Sequence, residues 1–377
     1  MPDHRARQVV GIPDPAGSHL RRIREITGRG SADRPGSELH NRRRDVKYWD
    51  DAWGLVGGCT PCSPGCCSCW SAAAAHMRSH QKNQKIRTQY EGLTCLRNGI
   101  PTYNGTIRLF HDRLEAPKHH RIPTVYALWN DIFHQKVPGK FINEAWLVMR
   151  NCPDHIFLIL TKRIGRALEW TRIAAAAKNW PIEEIWPDNV WIIPTVCNQD
   201  EANRILPLLF QIQAPNIGIS LEPMLGPVDL TDITVHNEQG EWHFSALECD
   251  VPREDDTILK GNILGCVILG FETGPHARPG HPDWARKVRN DCAAAGVSLL
   301  FKQWGEWYPD SDLGQIKDTK RPGQCRKGQP SCYAHLLGEA GSSDRETDIL
   351  MRRVGSKSAG RLLDGREHND IPWRSCL

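Results

Sequence analysis

The sequence lacks a long apolar run, and this absence excludes one class of protein. None of the 377 residues belongs to a stretch of about eighteen consecutive apolar residues, the length of a transmembrane helix. The N-terminus also lacks the apolar segment of a secretory signal. We therefore expect a cytoplasmic protein with no membrane partner.

The sequence has little net charge outside one segment. The chain carries a formal charge of +4, and residues 1–47 alone contribute +5 from eleven Lys/Arg and six Asp/Glu. The remaining 330 residues therefore sum to −1, which argues against duplex DNA binding through a broad basic surface. Residues 1–46 have no hydrophobic periodicity, and their Arg, Gly, Pro and Ser content predicts a flexible, disordered basic arm. Such an arm either touches nucleic acid or is a solvated tail.

Short apolar segments then alternate with helical ones. Segments of this length, separated by helices, are typical of parallel βα units. The predicted strands are residues 121–128, 155–161, 190–195, 217–221, 266–270 and 297–303. The predicted helices are residues 140–152, 163–178, 199–213 and 282–295.

This alternation predicts an α/β fold, a full or partial (β/α) TIM-type barrel over residues 47–308. Residues 231–262 are acidic and polar, so we expect an insertion between barrel units there. Residues 309–377 form an irregular C-terminal extension in this interpretation. Functional sites of such barrels lie where the strands end.

Cysteine is the most informative residue type in the composition. Five of the fourteen cysteines fall between positions 59 and 69, on a loop that leads into a helix-favouring Ala-rich stretch. Thiols of a protein without an export signal stay reduced, so a cluster of them indicates a metal site or catalysis rather than disulfides. We interpret six of the others as small buried apolar residues: Cys95, Cys152, Cys197, Cys249, Cys266 and Cys292.

Two three-cysteine patterns overlap in this loop. Cys62, Cys66 and Cys69 are spaced C-x3-C-x2-C, and Cys59, Cys66 and Cys69 are spaced C-x6-C-x2-C. Either triplet can hold three irons of a [4Fe–4S] cluster and leave the fourth iron open to a substrate or cofactor. Structural zinc is the alternative, but its two C-x-x-C pairs normally stand a dozen or more residues apart.

The C-x3-C-x2-C spacing resembles the signature of the radical S-adenosylmethionine (SAM) superfamily, although Ser68 stands where an aromatic residue is usual. A closer resemblance is to the phage Gp37/Gp68 family, a DUF5131-like group of radical-SAM-like proteins. Its Gly-Cys-Thr-x-x-Ser-Pro-Gly-Cys-x-x-Cys-Tyr-Ala motif is similar to residues 58–71, where Trp70 and Ser71 replace Tyr and Ala. Because the family's first cysteine matches Cys59, the resemblance favours Cys59, Cys66 and Cys69 as ligands, with Cys62 as the rival.

Further blocks resemble the family in the same order, so the resemblance covers roughly residues 48–369 and leaves out the basic arm. The blocks are residues 130–134 (Asn-Asp-Ile-Phe-His), 160–163 (Leu-Thr-Lys-Arg), 220–230 (Ser-Leu-Glu-Pro-Met-Leu-Gly-Pro-Val-Asp-Leu), 270–274 (Gly-Phe-Glu-Thr-Gly), 277–279 (Ala-Arg-Pro), 281–284, 301–307 and 355–365.

This resemblance implies a radical SAM enzyme that uses a [4Fe–4S] cluster and SAM to form a 5′-deoxyadenosyl radical. Its electron donor would be a protein such as flavodoxin, and it would work in the host cytoplasm if a phage encodes it. The implied substrate is a nucleotide or a modified DNA base. One example is the isomerisation of an amino-acid-modified (glycinylated) thymidine in DNA hypermodification, by which a bacteriophage evades host restriction.

Several of these blocks follow predicted strands, which places polar residues at the functional end of a barrel. The candidate catalytic residues are Glu222, Glu272, Lys162 and His134, and the candidate cofactor-binding residues are Asn130, Asp131, Gly270 and Glu272. Arg278 is a candidate phosphate or loop contact, and Trp304 and Trp307 either stack on a base or pack in the core. Two other functions stay open: a photoproduct-lyase-like DNA repair enzyme, and a zinc or iron–sulfur nucleic-acid-binding module without catalysis.

Overall fold

The computed structural model describes residues 47–237, 240–248, 250–252, 258–260, 264–315, 331–334 and 348–374. By its contacts the chain divides into two units, Met1–Asp45 and Val46–Leu377. The arm predicted at residues 1–46 lies outside the described residues, as do Cys249 and residues 316–330 and 335–347.

The described residues form eighteen strands and seven α-helices. The strands are β1 (Asp51–Trp53), β2 (Val56–Gly57), β3 (Thr94–Arg97), β4 (Ile100–Tyr103), β5 (Arg108–Leu109), β6 (Val125–Leu128), β7 (Ile156–Thr161), β8 (Val190–Pro194), β9 (Asn216–Leu221), β10 (Ile233–Asn237), β11 (Gly240–Phe244), β12 (Asp250–Pro252), β13 (Ile258–Lys260), β14 (Cys266–Gly270), β15 (Ser298–Gln303), β16 (Trp307–Pro309), β17 (Ser331–Ala334) and β18 (Ile349–Arg353). The helices are α1 (Trp70–Ser79), α2 (Gln84–Tyr90), α3 (Gly139–Arg150), α4 (Ile164–Lys178), α5 (Gln199–Gln211), α6 (Pro282–Ala295) and α7 (Ser356–Ala359).

Seven parallel strands form the central sheet in the order β1-β6-β7-β8-β9-β14-β15. This order follows the chain, so every connection steps to the next neighbour in the same direction. Right-handed crossovers then place α3, α4, α5 and α6 on one face, and the sheet curls away from them. The mixed α/β fold is therefore confirmed as a half-barrel, whereas the described strands do not close into a ring of eight.

The predicted βα units of this sheet are confirmed, with small shifts at their ends. Strand β14 and helix α6 have the predicted bounds, and the other strands and helices differ by a few residues. The largest difference is in β6, which begins at Val125 rather than at residue 121. Pro123 lacks the N–H that a strand ladder needs, and the preceding Ile122 is 69% exposed.

The two faces of the sheet have separate cores because side chains alternate along each strand. In β8, Val190 and Ile192 belong to the larger core between the sheet and the helices. Trp191 and Ile193 belong to a smaller core on the concave face. Both faces of the strands are thus apolar, as expected for a parallel sheet covered on both sides.

The C-terminal residues cover the concave face and one sheet edge. Trp373 is fully buried, donates from Nε1 to the Tyr48 carbonyl at 2.7 Å, and lies with its ring centroid 4.9 Å from that of Trp191. Residues 368–370 run antiparallel to the edge strand β15. The predicted irregular extension therefore contains ordered parts, including a three-stranded sheet of β16, β18 and β17.

The predicted insertion at 231–262 contains two antiparallel pairs, β10–β11 and β12–β13. Its first hairpin packs on the helical side of the sheet, where Phe244 lies 5.9 Å from Phe210 of α5 between ring centroids. Within the described part of the chain, no helix has the length and apolar character to span a membrane.

Candidate functional site

The cysteine-rich loop leaves β2 at a glycine and ends at a helix. Gly58 has a φ of +88°, and a Cβ there would stand 1.9 Å from the Thr106 carbonyl oxygen, so the turn requires glycine. The loop then makes a short 3-10 turn at Pro64–Cys66, capped by Ser63. It ends at Cys69, the N-cap residue of α1, as the sequence predicted.

This loop lies against the carboxyl ends of the parallel strands, which we call the mouth of the half-barrel. A Cβ on Gly65 would stand 2.6 Å from the Cys197 sulfur after β8 and 3.0 Å from Pro223 after β9. The loop also contacts Arg163, which follows β7, and Arg278, which follows β14. Thiols from one loop are therefore brought to the edge where active sites of this architecture lie.

A buried arginine holds the start of the loop. Arg163 Nη1 donates to Asp131 Oδ2 at 2.9 Å, and Nη2 donates to the Thr60 carbonyl at 2.7 Å. The same Nη1 lies 3.7 Å from the Cys59 sulfur. Both charged side chains are only 8% exposed, so their attraction is weakly screened by water.

Asn130 and Asp131, which the sequence suggested for cofactor binding, are engaged within the protein. Asp131 accepts from the Phe133 and Lys162 amides and the Thr161 hydroxyl, besides Arg163. Asn130 bonds the hydroxyls of Ser71 and Tyr103 and the Val56 carbonyl. Asp131 thus contacts the arginine that holds the loop, and Asn130 contacts β2, β4 and α1 beside the loop.

A second arginine holds the middle of the loop. Arg278 Nη2 donates to Glu272 Oε1 at 2.6 Å and to the Pro64 carbonyl at 3.0 Å. The backbone N–H and the Nε of Arg278 both donate to Glu272 Oε2. The Glu272 side chain is 4% exposed and that of Arg278 is 41% exposed, so a buried carboxylate is paired with a partly exposed guanidinium group. Glu272 thus acts on the loop through Arg278.

A histidine supports the loop beside Arg163. His134 is 1% exposed and its Nε2 lies 2.9 Å from the Thr60 hydroxyl. Its Nδ1 accepts from the Lys136 amide, so the hydrogen-bond network assigns the proton to Nε2. Burial and the nearby Arg163 lower the pKa of His134 to about 4, which leaves the ring neutral.

The thiols of the loop differ in the direction in which their pKa values are shifted. Hydrogen bonds from Cys62, including its N–H at 3.5 Å from the Cys66 sulfur, lower the pKa of Cys66 and raise that of Cys62. Burial raises the pKa of Cys59 to about 11 against the opposing charge of Arg163, and burial also raises that of Cys69. All four are free thiols. Cys66 is therefore the thiol most easily ionised.

Cys62 and Cys59 occupy different surroundings. Cys62 is exposed and lines a cavity of about 380 Å³ together with Ser63, Cys66, Cys67 and residues of the β3–β4 hairpin. Cys59 is partly buried and faces Arg163. Within the described residues, no three Cys, His, Asp or Glu side chains are arranged to hold one metal ion.

A sixth thiol, which we predicted from the sequence to be a small buried core residue, reaches the loop. Cys197 is fully buried, yet its sulfur lies 3.6 Å from the Ser63 hydroxyl and 3.7 Å from Lys162 Nζ. Its position three residues after β8, at the strand end, is the only signal in the sequence that could have indicated this. Lys162 therefore lies beside the cysteine-rich loop, since it contacts the sulfur of Cys197 and that sulfur contacts Ser63 of the loop.

Glu222 belongs to a second polar cluster at the mouth. Its Oε1 lies 2.8 Å from Lys302 Nζ, and the Ser220 hydroxyl lies 3.3 Å from its Oε2. Lys302 also lies over the Tyr48 ring, and burial together with Glu222 raises the pKa of that tyrosine. A Cβ on Gly270 would stand 3.1 Å from Glu222 Oε1, so this glycine leaves room for the carboxylate.

Trp304 and Trp307 pack in the core and do not form a stacking surface. They are 2% and 8% exposed, and their Nε1 atoms donate to the carbonyls of Leu362 and Ala277. Of the cysteines assigned to the core, Cys152, Cys266 and Cys292 are buried and Cys95 is partly exposed.

Comparison with curated proteins and with solved structures gives no match in either case. A family model matches residues 43–372, which cover the half-barrel, the cysteine-rich loop and the C-terminal cover. That family is DUF5131, described as a protein of unknown function, and by the extent of this match the chain belongs to it.

Proposed function

We propose that the cysteine-rich loop holds a [4Fe–4S] cluster through Cys59, Cys66 and Cys69, and that the protein is a radical SAM enzyme. The observation that carries this proposal is the position of the loop. Five free thiols lie on eleven residues, at the mouth of a parallel half-barrel, and two arginine–carboxylate pairs hold the loop there.

The donor set fits an iron–sulfur cluster better than zinc. Zinc needs four donors around one point, whereas a four-iron cluster binds its thiolates on separate irons, three of them here, so the ligands stand further apart. Cys59 lies beside Arg163 and Cys69 stands at the start of α1, and among the described residues no three Cys, His, Asp or Glu side chains surround one point. Arg163 and Lys162 lie near the sulfurs of Cys59 and Cys197, and these cations favour a negatively charged centre.

A reduced cluster held there would supply the one electron needed to cleave SAM to methionine and a 5′-deoxyadenosyl radical. The chain's own residues would orient and protect that reaction. Arg163 and Arg278 fix the loop carbonyls of Thr60 and Pro64, and His134 fixes the Thr60 side chain without adding charge. Glu272 and His134 are therefore positioning residues in this proposal.

Lys162 and Glu222 are the predicted catalytic residues that lie toward the substrate in this proposal. Lys162 Nζ lies beside Cys197, and Glu222 with Lys302 forms an ion pair at the mouth. Such a pair can separate to meet an amine and a carboxylate, or a phosphate. We propose a nucleotide or DNA base as the substrate, with a glycinylated thymidine as the first compound to test and flavodoxin as the electron donor.

The test is anaerobic reconstitution with iron and sulfide, followed by reduction and electron paramagnetic resonance (EPR) with and without SAM. We expect an S = 1/2 signal that changes when SAM is added, together with release of 5′-deoxyadenosine. A protein that binds tight zinc and forms no cluster would overturn the proposal. Products from modified-thymidine DNA and from irradiated DNA then separate hypermodification from photoproduct repair.

Single cysteine variants identify the ligands. We expect Cys66→Ser, Cys69→Ser and Cys59→Ser each to abolish the SAM-dependent signal. Cys62→Ser should leave that signal in place, and Cys67→Ser, a neighbouring exposed thiol, is the matched control. Loss of the signal in Cys62→Ser with retention in Cys59→Ser would reassign the third ligand.

A further inference from the structure

A small basic unit stands beside the cysteine-rich loop. Helices α1 and α2 and the β3–β4 hairpin pack around Ala72, Ala75, Leu93 and Tyr103. Residues 70–110 carry six Lys/Arg and one Asp/Glu, a net charge of +5. The other residues after position 47 carry 31 Lys/Arg and 37 Asp/Glu, a net charge of −6. The near-neutral body is therefore divided into a basic unit and an acidic remainder.

The basic unit and Trp129, which follows β6, together form a row of rings with one guanidinium group. Trp70 is 59% exposed, and its ring centroid lies 5.4 Å from that of Trp129. The Arg78 guanidinium lies 4.3 Å from the Trp129 centroid and 5.2 Å from the Tyr90 centroid. We call these four residues the Trp70 surface.

Hydrogen bonds hold the inner part of the Trp70 surface in place. Trp129 Nε1 donates to the Ser71 hydroxyl at 2.7 Å, and Arg78 Nη1 donates to the Tyr90 hydroxyl at 3.0 Å. The outer ring of Trp70 is left largely open to solvent. The inner rings are held in place by these hydrogen bonds, and the exposed Trp70 indole stands beside them. A further flat ring, such as a nucleobase, can therefore stack on Trp70.

We propose that the Trp70 surface binds single-stranded nucleic acid, with bases stacked on Trp70 and phosphates near the exposed Lys82, Lys85 and Arg97. The charge complementarity favours a polyanion over an apolar protein segment. Every base has a π-face, so such a surface accepts different sequences.

The position of this surface connects it to the candidate centre. Trp70 directly follows Cys69, a proposed cluster ligand. A nucleic-acid strand bound on Trp70 would therefore lie next to the mouth. That this strand carries the substrate base rests on the proposed function. The binding itself does not, and it can therefore be tested on protein without iron.

The test is fluorescence anisotropy of labelled dT and rU oligonucleotides with the full chain purified without iron. We expect Trp70→Ala to weaken binding by about tenfold. Trp180→Ala is the matched control: Trp180 is 36% exposed, and the cations Arg150 and Lys178 lie over its ring, but it lies outside the basic unit. The control should bind as the parent does, and binding should weaken with salt.

The dT and rU oligonucleotides differ in the C5 methyl group of the base and in the 2′-hydroxyl of the sugar, and a preference for either one supports the proposal. Equal affinity of Trp70→Ala and Trp180→Ala would overturn it, as would tighter binding of a duplex. Binding of anionic lipid vesicles without any oligonucleotide binding would assign the surface to a membrane instead. Failure of cluster assembly would leave these results unchanged, so the two proposals fail separately.

Discussion

The mouth of the half-barrel is polar, whereas the smaller core on its concave face, which we call the floor, is apolar. At the floor, Trp191, Ile193 and Trp373 pack in an apolar core that both ends of the described chain help to close. At the mouth lie the thiols, two arginine–carboxylate pairs on loops, and a lysine–glutamate pair whose lysine is near the end of β15. The difference indicates that the floor provides stability and that the mouth holds groups which would be costly to bury without partners.

The largest expected effect on stability comes from the floor. Trp373→Ala removes a fully buried indole and its hydrogen bond to Tyr48, so we expect the free energy of unfolding to fall by about 4 kcal/mol. Denaturant unfolding measures this, with Trp180→Ala as the control on an exposed indole. The iron content of the folded fraction after reconstitution should stay at the parent level. A loss of iron binding in that fraction would show that the floor also supports the metal site, and that its role is not limited to stability.

The next effect concerns the inner arginine pair at the mouth. Asp131→Asn leaves the buried Arg163 without its partner charge, and we expect a loss of about 3 kcal/mol in the free energy of unfolding. Unlike Trp373→Ala, this variant should also bind less iron, because Arg163 would no longer fix Thr60 and Cys59. Asp283→Asn, which breaks an exposed pair with Arg286, is the control and should cost under about 1 kcal/mol. Normal iron content in Asp131→Asn would show that the pair serves the fold alone.

A pH effect of intermediate size is expected at His134. Its pKa falls from 6.5 to about 4 on folding, because burial and Arg163 disfavour the charged ring. The unfolded chain binds a proton below pH 6.5, so the stabilising contribution is present above that pH and is lost as the pH falls toward 4.

We therefore expect the parent to lose about 2 kcal/mol of stability over this pH range through His134. His134→Gln, which can still donate to Thr60, should flatten that part of the stability curve. His119→Gln changes an exposed histidine and is the control. Identical pH profiles for the parent and His134→Gln would show that His134 does not titrate as this geometry requires.

The sequence predicted the sheet better than it predicted the site. Strands such as β14 were found because apolar runs between helices depend on local pattern. Strand β1 is three residues long and obtains its strand geometry from β6, so its local pattern was too short to show it. The approach of Cys197 to Ser63 and the burial of Trp373 against Tyr48 join residues 134 and 325 positions apart. Such contacts depend on the closed fold and leave no periodic signal.

The smallest effect on stability, and the sharpest test of the comparison, comes from the outer arginine pair. Arg278→Lys keeps a cation beside Glu272 but cannot donate at once to both carboxylate oxygens and to the Pro64 carbonyl. Because Arg278 is 41% exposed, we expect a loss of only about 1 kcal/mol in the free energy of unfolding. Arg286→Lys, in an ion-pair network with Asp283 and Asp364 away from the loop, is the matched control.

Arg278→Lys and Arg286→Lys should differ in their effect on the proposed cluster and its reaction, and not in their free energy of unfolding. If Arg278 positions the loop, Arg278→Lys should change the EPR spectrum of the reduced protein with SAM and lower the rate of 5′-deoxyadenosine release. Arg286→Lys, with a similar stability loss, should do neither. A purely structural role for Arg278 would make the two variants alike in both readouts. Since the Pro64 carbonyl is the only loop atom to which Arg278 has a hydrogen bond in the described structure, a difference between the variants would locate the effect at the 3-10 turn that carries Cys66.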